Sequence, residues 1–271
     1  TNTTPVASVL TDFFASRIYE FNTSAFADLD DDNFDDDQND WVNYSSEMKS
    51  GTGYAAMTSN PGERNTVFSG KVNNGIITVS VQLSGDENSD ADGDEDDWNL
   101  LGNPYPSAIS ADEFITQNSD INGTLYFWTH VDDISIDNPG PDGYNFSTDD
   151  YAMYSLTGGI ASASNSAQPT GIIETGLGFF VDAISAGPVE FNNSMRSKSY
   201  ANNNSFSASS SNEIIEKDRF WLNLTNPNGA FSQILIGFFE DATLEKDRLY
   251  DGVRLKGNNY IDFYSLDNTS Y

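Results

Sequence analysis

Short apolar runs separated by clusters of Gly, Asn, Asp, Ser and Pro recur along the whole chain, and no stretch longer than about ten residues carries helical periodicity. Near the start, Leu10 to Phe14 is a short apolar run. Arg17 to Phe21 (RIYEF) sets Ile18 and Glu20 against Tyr19 and Phe21, a period of two that predicts a strand. Trp41 to Tyr44 and the glycine-led stretch Gly51-Thr52-Gly53-Tyr54-Ala55-Ala56-Met57 read as further strand segments. Ile77, Val79, Val81 and Leu83 alternate cleanly. With Val67 to Gly70 and the turn Asn73-Asn74-Gly75 they predict a hairpin, because Asn-Gly supplies the positive φ angles of a type I′ turn.

The strongest punctuation is Trp98 to Pro106, WNLLGNPYP. Trp98, Leu100 and Leu101 must be buried, and Pro104 and Pro106 forbid a continued ladder or helix because proline has no N–H and a fixed φ. A strand ending in a rigid corner is predicted. Ser110 then stands three residues before Glu113 as in a capping box, which predicts a helical turn or two. Thr124 to Val131 has the highest strand propensity in the chain, and the stretch Asp132 to Asp150 reads as a polar loop. Tyr151 to Leu156 is a strand ended by Gly158-Gly159. The strand in GLGFFVDA, 176 to 183, is expected to pair with Val189 to Phe191 across Ala186-Gly187-Pro188. Arg219 to Thr225 and Phe231 to Phe239 flank Asn226-Pro227-Asn228-Gly229 as a second hairpin. Strands near Val253 to Leu255 and Tyr260 to Tyr264 complete the reading.

These signals predict an all-β fold, a sandwich or jelly roll with only short helical turns. GTGYAAM at 51 to 57 and GLGFFVDA share the pattern Gly-x-Gly-aromatic, which points to a weak internal repeat and two related half-sandwiches. The Ser, Asn and Ala composition of 201–212 marks a linker between a domain spanning 1–200 and part of a second β unit at 213–271. The N-terminal residues do not read as a signal peptide, Thr1 reads as an artificial or processed start and DFYSLDNTSY stops without punctuation, so the chain is expected to be a fragment of a longer polypeptide.

Charge changes the picture. The chain has 42 acidic residues against 12 basic ones, a net charge of −30, which argues against nucleic acid or an anionic membrane as partner and makes cations the natural ones. Aromatic residues are 13% of the chain, so it has the apolar payload that disordered acidic chains lack. With no cysteine, disulfides, zinc-thiolate sites and a cysteine nucleophile are excluded. No apolar run approaches the roughly 18 residues of a membrane helix, so membrane insertion is not expected.

Two acidic loops, Asp28 to Asp40 and Asp86 to Asp97, carry the candidate chemistry. Asn88, Asp90, Asp92, Gly93, Asp94 and Asp96 occupy positions 1, 3, 5, 6, 7 and 9 of a calcium loop of EF type, but position 12 is Asn99 and no helices flank it. Asp28, Asp30 and Asp32 also alternate, with Asn33 at the bend position. Calcium takes six to eight hard oxygen ligands, which such runs provide; the competing reading is a solvated acidic loop. Glycans are the other candidate ligand. They stack on exposed aromatic faces, and Trp41 and Tyr105, placed beside loops, are the candidates. Trp98, Trp128 and Trp221 lie inside apolar runs and read as core. His130 is the only histidine, no G-x-S-x-G elbow is present, and carboxylate pairs are inevitable among so many acids, so the expectation is that the chain is not an enzyme.

The phrases WNLLGNPYPSAISADEFI, NGTLYFWTH, DDYAMYSLTGG, GLGFFVDA and VEFNNSMR, in this order, resemble a β-rich module that recurs in large secreted surface proteins of Bacteroidetes, especially flavobacteria. There it lies upstream of the C-terminal signal for type IX secretion. The similarity runs from about Arg17 to Met195, and RFWLNLTNPNGAFSQILIGF continues it. What the resemblance implies is location: export by the outer-membrane machinery and display or release outside a Gram-negative cell. It implies no catalytic residue. The expected function is a noncatalytic surface module that supports adhesion or display, stiffened by calcium. The alternative is a carbohydrate-binding module attached to a secreted polysaccharide-degrading enzyme.

Overall fold

The three most apolar runs, WNLL, LYFW and FFV, lie side by side in one antiparallel sheet that is buried on both faces. This explains why they read as continuous rather than alternating apolar segments. A computed structural model describes residues 4–5, 13–27, 39–59, 68, 70–84, 97–130, 132–138, 144–162, 167–196, 217–255 and 261–266. Within them the N-terminal strands are β1 (Thr4–Pro5), β2 (Phe13–Phe21), β3 (Trp41–Asn43), β4 (Glu47–Met48), β5 (Ala55–Thr58) and β6 (Ile77–Val81). Next come β7 (Trp98–Gly102), β8 (Ile109–Ser110), helix α1 (Ala111–Gln117), β9 (Leu125–Trp128), β10 (Tyr151–Ser155) and β11 (Gly158–Ile160). The chain continues with β12 (Ile172–Ile173), β13 (Gly178–Asp182), β14 (Gly187–Phe191), β15 (Arg219–Thr225) and β16 (Phe231–Gly237). The fold is all-β: the described residues form antiparallel sheets, one short helix and a few 3-10 turns.

The central sheet has the order β11-β10-β9-β13-β7. Alternate residues divide between its faces. Leu101, Leu125, Phe127, Tyr154, Phe179 and Val181 enter one core, which is closed by Phe114 and Ile115 of α1 and by Val81, Val189 and Phe191 of the β6–β14 ribbon. Trp98, Tyr126, Met153 and Phe180 enter the other, where Phe21, Phe26 and Leu255 pack against them. Edge-on aromatic contacts knit both cores: Phe114 meets Phe179 at 5.4 Å, and Trp98 meets Tyr126 at 5.0 Å. Such pairs contribute about 0.5–1.5 kcal/mol beyond the area they bury.

The capping signal is realised. Ser110 caps α1, its hydroxyl accepting from Glu113 N at 3.2 Å. The β15–β16 hairpin forms in full register around a turn in which Gly229 has a φ of 97°.

Two expected hairpins do not form. β6 is a strand, but its partner is β14: Ile77 pairs with Phe191 and Val81 with Gly187. Phe68 and Gly70, expected opposite β6, are not in a strand, and Val67 lies outside the described residues. Asn74 does not take the positive φ of a type I′ turn; among described non-glycine residues only His130 has one. β14 likewise does not pair with β13, which is flanked by β7 and β9. The reason is physical. Alternation specifies which face of a strand is buried, whereas the partner is the strand that closes the core best, and here that strand is far away in sequence.

The two Gly-x-Gly copies converge on opposite sides of β7. Thr52 bridges to Leu101, Gly53 N donates to Leu100 O at 2.9 Å, and Gly102 N donates to Gly51 O at 2.9 Å. On the other side Gly178 pairs with Gly102. The strands that follow them differ: β5 is an exposed edge of the sheet β3-β2-β5, and β13 is interior.

The expected linker 201–212 lies outside the described residues. Beyond it, the β15–β16 hairpin is fastened to β11, with Trp221 Nε1 donating to Gly159 O at 2.9 Å and Ala161 N to Gln233 Oε1 at 3.0 Å. Gly123 N donates to Arg248 O at 3.0 Å, and Leu156 N donates to Leu249 O at 3.2 Å. No strand forms at Val253 to Leu255 or at 261–264, and Tyr260 is outside the described residues. Side chains hold this segment instead, through Tyr126 Oη donating to Val253 O at 3.2 Å and the Arg254–Asp149 ion pair at 3.3 Å. No helix among the described residues is long and apolar enough to cross a membrane.

Candidate functional site

The acidic candidates Asp28, Asp30, Asp32, Asn88, Asp90, Asp92, Asp94 and Asp96 all lie outside the described residues. Among the described residues no group of three or more acidic or histidine side chains is placed to hold a metal ion. What the structure does place are the ends of both acidic segments. The second leaves at Ser84 and returns at Asp97, and these ends are clamped: Ser84 N donates to Asp97 Oδ1 at 2.5 Å. Asn99, buried beneath them, accepts from Gln82 N at 2.9 Å and donates from Nδ2 to Gln82 O and Asp97 O, each at 2.8 Å.

The first segment follows Ala27 and ends before Asn39. Its base is closed by Asn22 N donating to Asp40 O at 2.7 Å. The buried hydroxyl of Thr23 donates to Trp98 O at 2.5 Å and lies 3.2 Å from Asn99 Oδ1. Thr23 thus ties the base of the first acidic segment to the base of the second. Two segments far apart in sequence are anchored at the same end of the central sheet. Asp97 and Asn99 belonged to the acidic pattern in sequence, but nothing in the spacing marked Thr23.

The glycan candidates separate. Trp41 is 38% exposed and is braced edge-on by Phe21 at 5.1 Å and Phe180 at 6.0 Å. Tyr105 is 1% exposed, with its hydroxyl donating to Gly75 O at 2.6 Å and the Arg196 guanidinium over its ring, so it offers no face to a ligand. Burial pushes its phenol up to about 12. The corner that was expected to leave Tyr105 at the surface instead folds it inward. Asn103 does this: Nδ2 donates to Ser107 O, Ile173 O and Glu174 O at 2.9–3.0 Å, and Oδ1 accepts from Tyr105 N at 3.0 Å.

Trp98 is buried, as expected for core, and Trp221 is half-buried. Trp128 is not core: it ends β9 at the surface, 37% exposed, stacked against His130 at 5.8 Å. His130 is exposed at the rim, with a left-handed φ of 46°. Behind it, Asp150 is buried and accepts Asp132 N on both carboxylate oxygens at 3.1 and 3.2 Å. Buried Asp149 pairs with Arg254.

The described residues therefore define an antiparallel all-β protein whose central sheet is filled on both faces by its own chain. The chain belongs to the family described as a domain of unknown function (DUF8693), whose model matches residues 1–271. No curated protein and no solved structure matches it.

Proposed function

We propose that the protein is a noncatalytic extracellular module of a secreted surface protein of a Gram-negative bacterium. In this reading it supports adhesion or display, and its two aspartate-rich segments take calcium. One observation supports this reading: Thr23 links the described bases of both segments through Trp98 and Asn99, so both segments leave the fold from one end of the central sheet. Concentrated carboxylates repel one another, and a divalent cation relieves that repulsion while taking hard oxygen ligands.

The test is thermal melting with and without millimolar calcium. A site filled to about a hundred times its dissociation constant stabilises by roughly 2.7 kcal/mol, several degrees for a chain of this size. The expected shift is lost when Asp90, Asp92 and Asp94 are changed together to Asn. No shift in melting and no heat of binding in calorimetry would end the calcium reading.

A second reading, a carbohydrate-binding module of a secreted polysaccharide-degrading enzyme, is favoured by the exposed and braced Trp41 ring. It predicts that Trp41→Ala abolishes retention on an insoluble polysaccharide that retains the parent. Equal retention would remove it.

A further inference from the structure

The β15–β16 hairpin is an antiparallel ladder of seven residues on each strand in continuous register, so its faces and edges can be assigned residue by residue. Trp221 and Gln233 belong to the face that rests on β11, where Trp221 Nε1 meets Gly159 O and Gln233 Oε1 meets Ala161 N. The opposite face carries Phe220, Leu222 and Leu224, each 40–42% exposed, beside their cross-strand partners Ile236, Ile234 and Ser232. β16 lies against β11 and buries Ser232 and Gln233, whereas β15 is exposed throughout from Leu222 to Thr225.

The backbone of β15 divides in the same way. Asn226 N donates to Ala230 O at 3.2 Å and Phe238 N to Asp218 O at 2.8 Å, one bond at each end of the ladder. Hydrogen-bonded pairs alternate along an antiparallel ladder, so these two bonds fix its phase. Phe220, Leu222 and Leu224 bond to β16, and Arg219, Trp221, Asn223 and Thr225 turn their N–H and C=O groups outward. No described residue bonds to those outward groups. A free strand edge is a template for another strand unless proline, lysine or a bulge blunts it, and β15 contains none of the three.

Charge and register select the occupant. The sequence from Phe220 to Phe239 holds no charged residue, and neither does 151–173, which includes β10 and the β11 that supports the hairpin. In a protein of net charge −30, two uncharged stretches meet on this side, so a second copy can approach here without opposing carboxylates within them. The edge is also self-complementary. Run antiparallel to a copy of itself about a two-fold axis at Leu222, it sets Arg219 opposite Thr225 and Trp221 opposite Asn223, so all four outward residues of each copy bond. On the apolar face the same register sets Phe220 beside Leu224, and Leu222 beside its own counterpart.

We propose that β15 is a self-association edge through which two copies join their hairpins into one continuous sheet, in the order β16-β15-β15-β16. The proposal uses neither the aspartate-rich segments nor Trp41, so it stands apart from the calcium and saccharide readings.

The test is sedimentation equilibrium of the whole protein in EDTA, over a range of protein and salt concentrations. The parent is expected to pass from monomer to dimer as its concentration rises, and to do so earlier in high salt, because screening relieves the repulsion between two chains of charge −30. Thr225→Pro removes one outward N–H and no bond of the hairpin, and Leu222→Lys places two cations opposite one another at the two-fold axis. Each is expected to weaken the dimer about tenfold, with the melting temperature of the dilute monomer unchanged. Should one variant melt lower, the other decides. Leu222→Lys makes the net charge less negative, so its weakening cannot come from general repulsion. A monomer at every concentration, or a dimer that both variants form as readily as the parent, would overturn the proposal. So would association that appears only when calcium is supplied, which would put the contact in the acidic segments.

Discussion

Asn103 is the residue on which the corner after β7 depends, and replacing it with alanine tests that claim. Its side chain is buried and its amide nitrogen has two hydrogens for three carbonyl acceptors, so one hydrogen is shared between two of them. Counting that shared pair once, alanine removes three effective hydrogen bonds: two donated by Nδ2 and one accepted from Tyr105 N. At about 1 kcal/mol net each, with buried groups left unpaired, the loss is about 3 kcal/mol. At roughly 2 °C per kcal/mol for a chain of this size, the melting temperature falls by about 6 °C. Asn103→Asp should do no better, because a carboxylate would then face three carbonyl oxygens. Tyr105→Phe is the internal comparison: it removes only the bond to Gly75 O, a loss of about 1 kcal/mol. Urea unfolding followed by tryptophan fluorescence gives both values. If Asn103→Ala unfolds at the same urea concentration as the parent, or if Tyr105→Phe is the more damaging change, the corner is not held in the way described.

Three further outcomes are expected. Thr23→Val should cost about 1–2 kcal/mol, because it leaves the buried Trp98 carbonyl without its donor, and it should also shrink any calcium-induced rise in melting; stability alone changing would separate the structural tie from the metal reading. Gly123→Ala should destabilise by about 1–3 kcal/mol in urea, because a Cβ there would sit 2.1 Å from the backbone oxygen of Arg248; an unaffected midpoint would mean that the 247–255 segment does not close over this turn. Burial raises the phenols of Tyr54, Tyr105 and Tyr151 above the ordinary value near 10. The unfolded chain therefore releases protons first. Stability should be level below pH 10 and fall as pH rises towards 12, seen as unfolding that coincides with tyrosinate absorbance. Tyr105→Phe should flatten part of that slope, and an unchanged slope would argue that Tyr105 ionises freely.

Why some of this was readable in advance can be seen in particular residues. Ser110 and Glu113 interact across three residues, and Asn226 to Gly229 closes a turn by local geometry, so neither needed the rest of the chain. The candidate site was less legible. The acidity of the two segments is plain in sequence, but their common anchorage through Thr23 is a contact between residues widely separated along the chain. Trp128 and Tyr105 exchanged places for the same kind of reason: an apolar run predicts burial, yet Trp128 lies at the open end of its strand, while Tyr105, between two prolines, is turned inward by Asn103.

The sequence by itself determined what depends on near neighbours and on pattern: an all-β chain, most strands of the central sheet, the helix cap, the β15–β16 turn, and a net charge of −30. The tertiary structure alone decided which strands pair, because β6 and β14 each had a nearer candidate and found each other across the first core. It also decided which aromatic rings face solvent. Backbone ladders are interchangeable between strands, so local hydrogen bonding does not discriminate partners. The choice falls to the pairing that fills both faces of the central sheet at once, a property of the whole chain that no window of it contains.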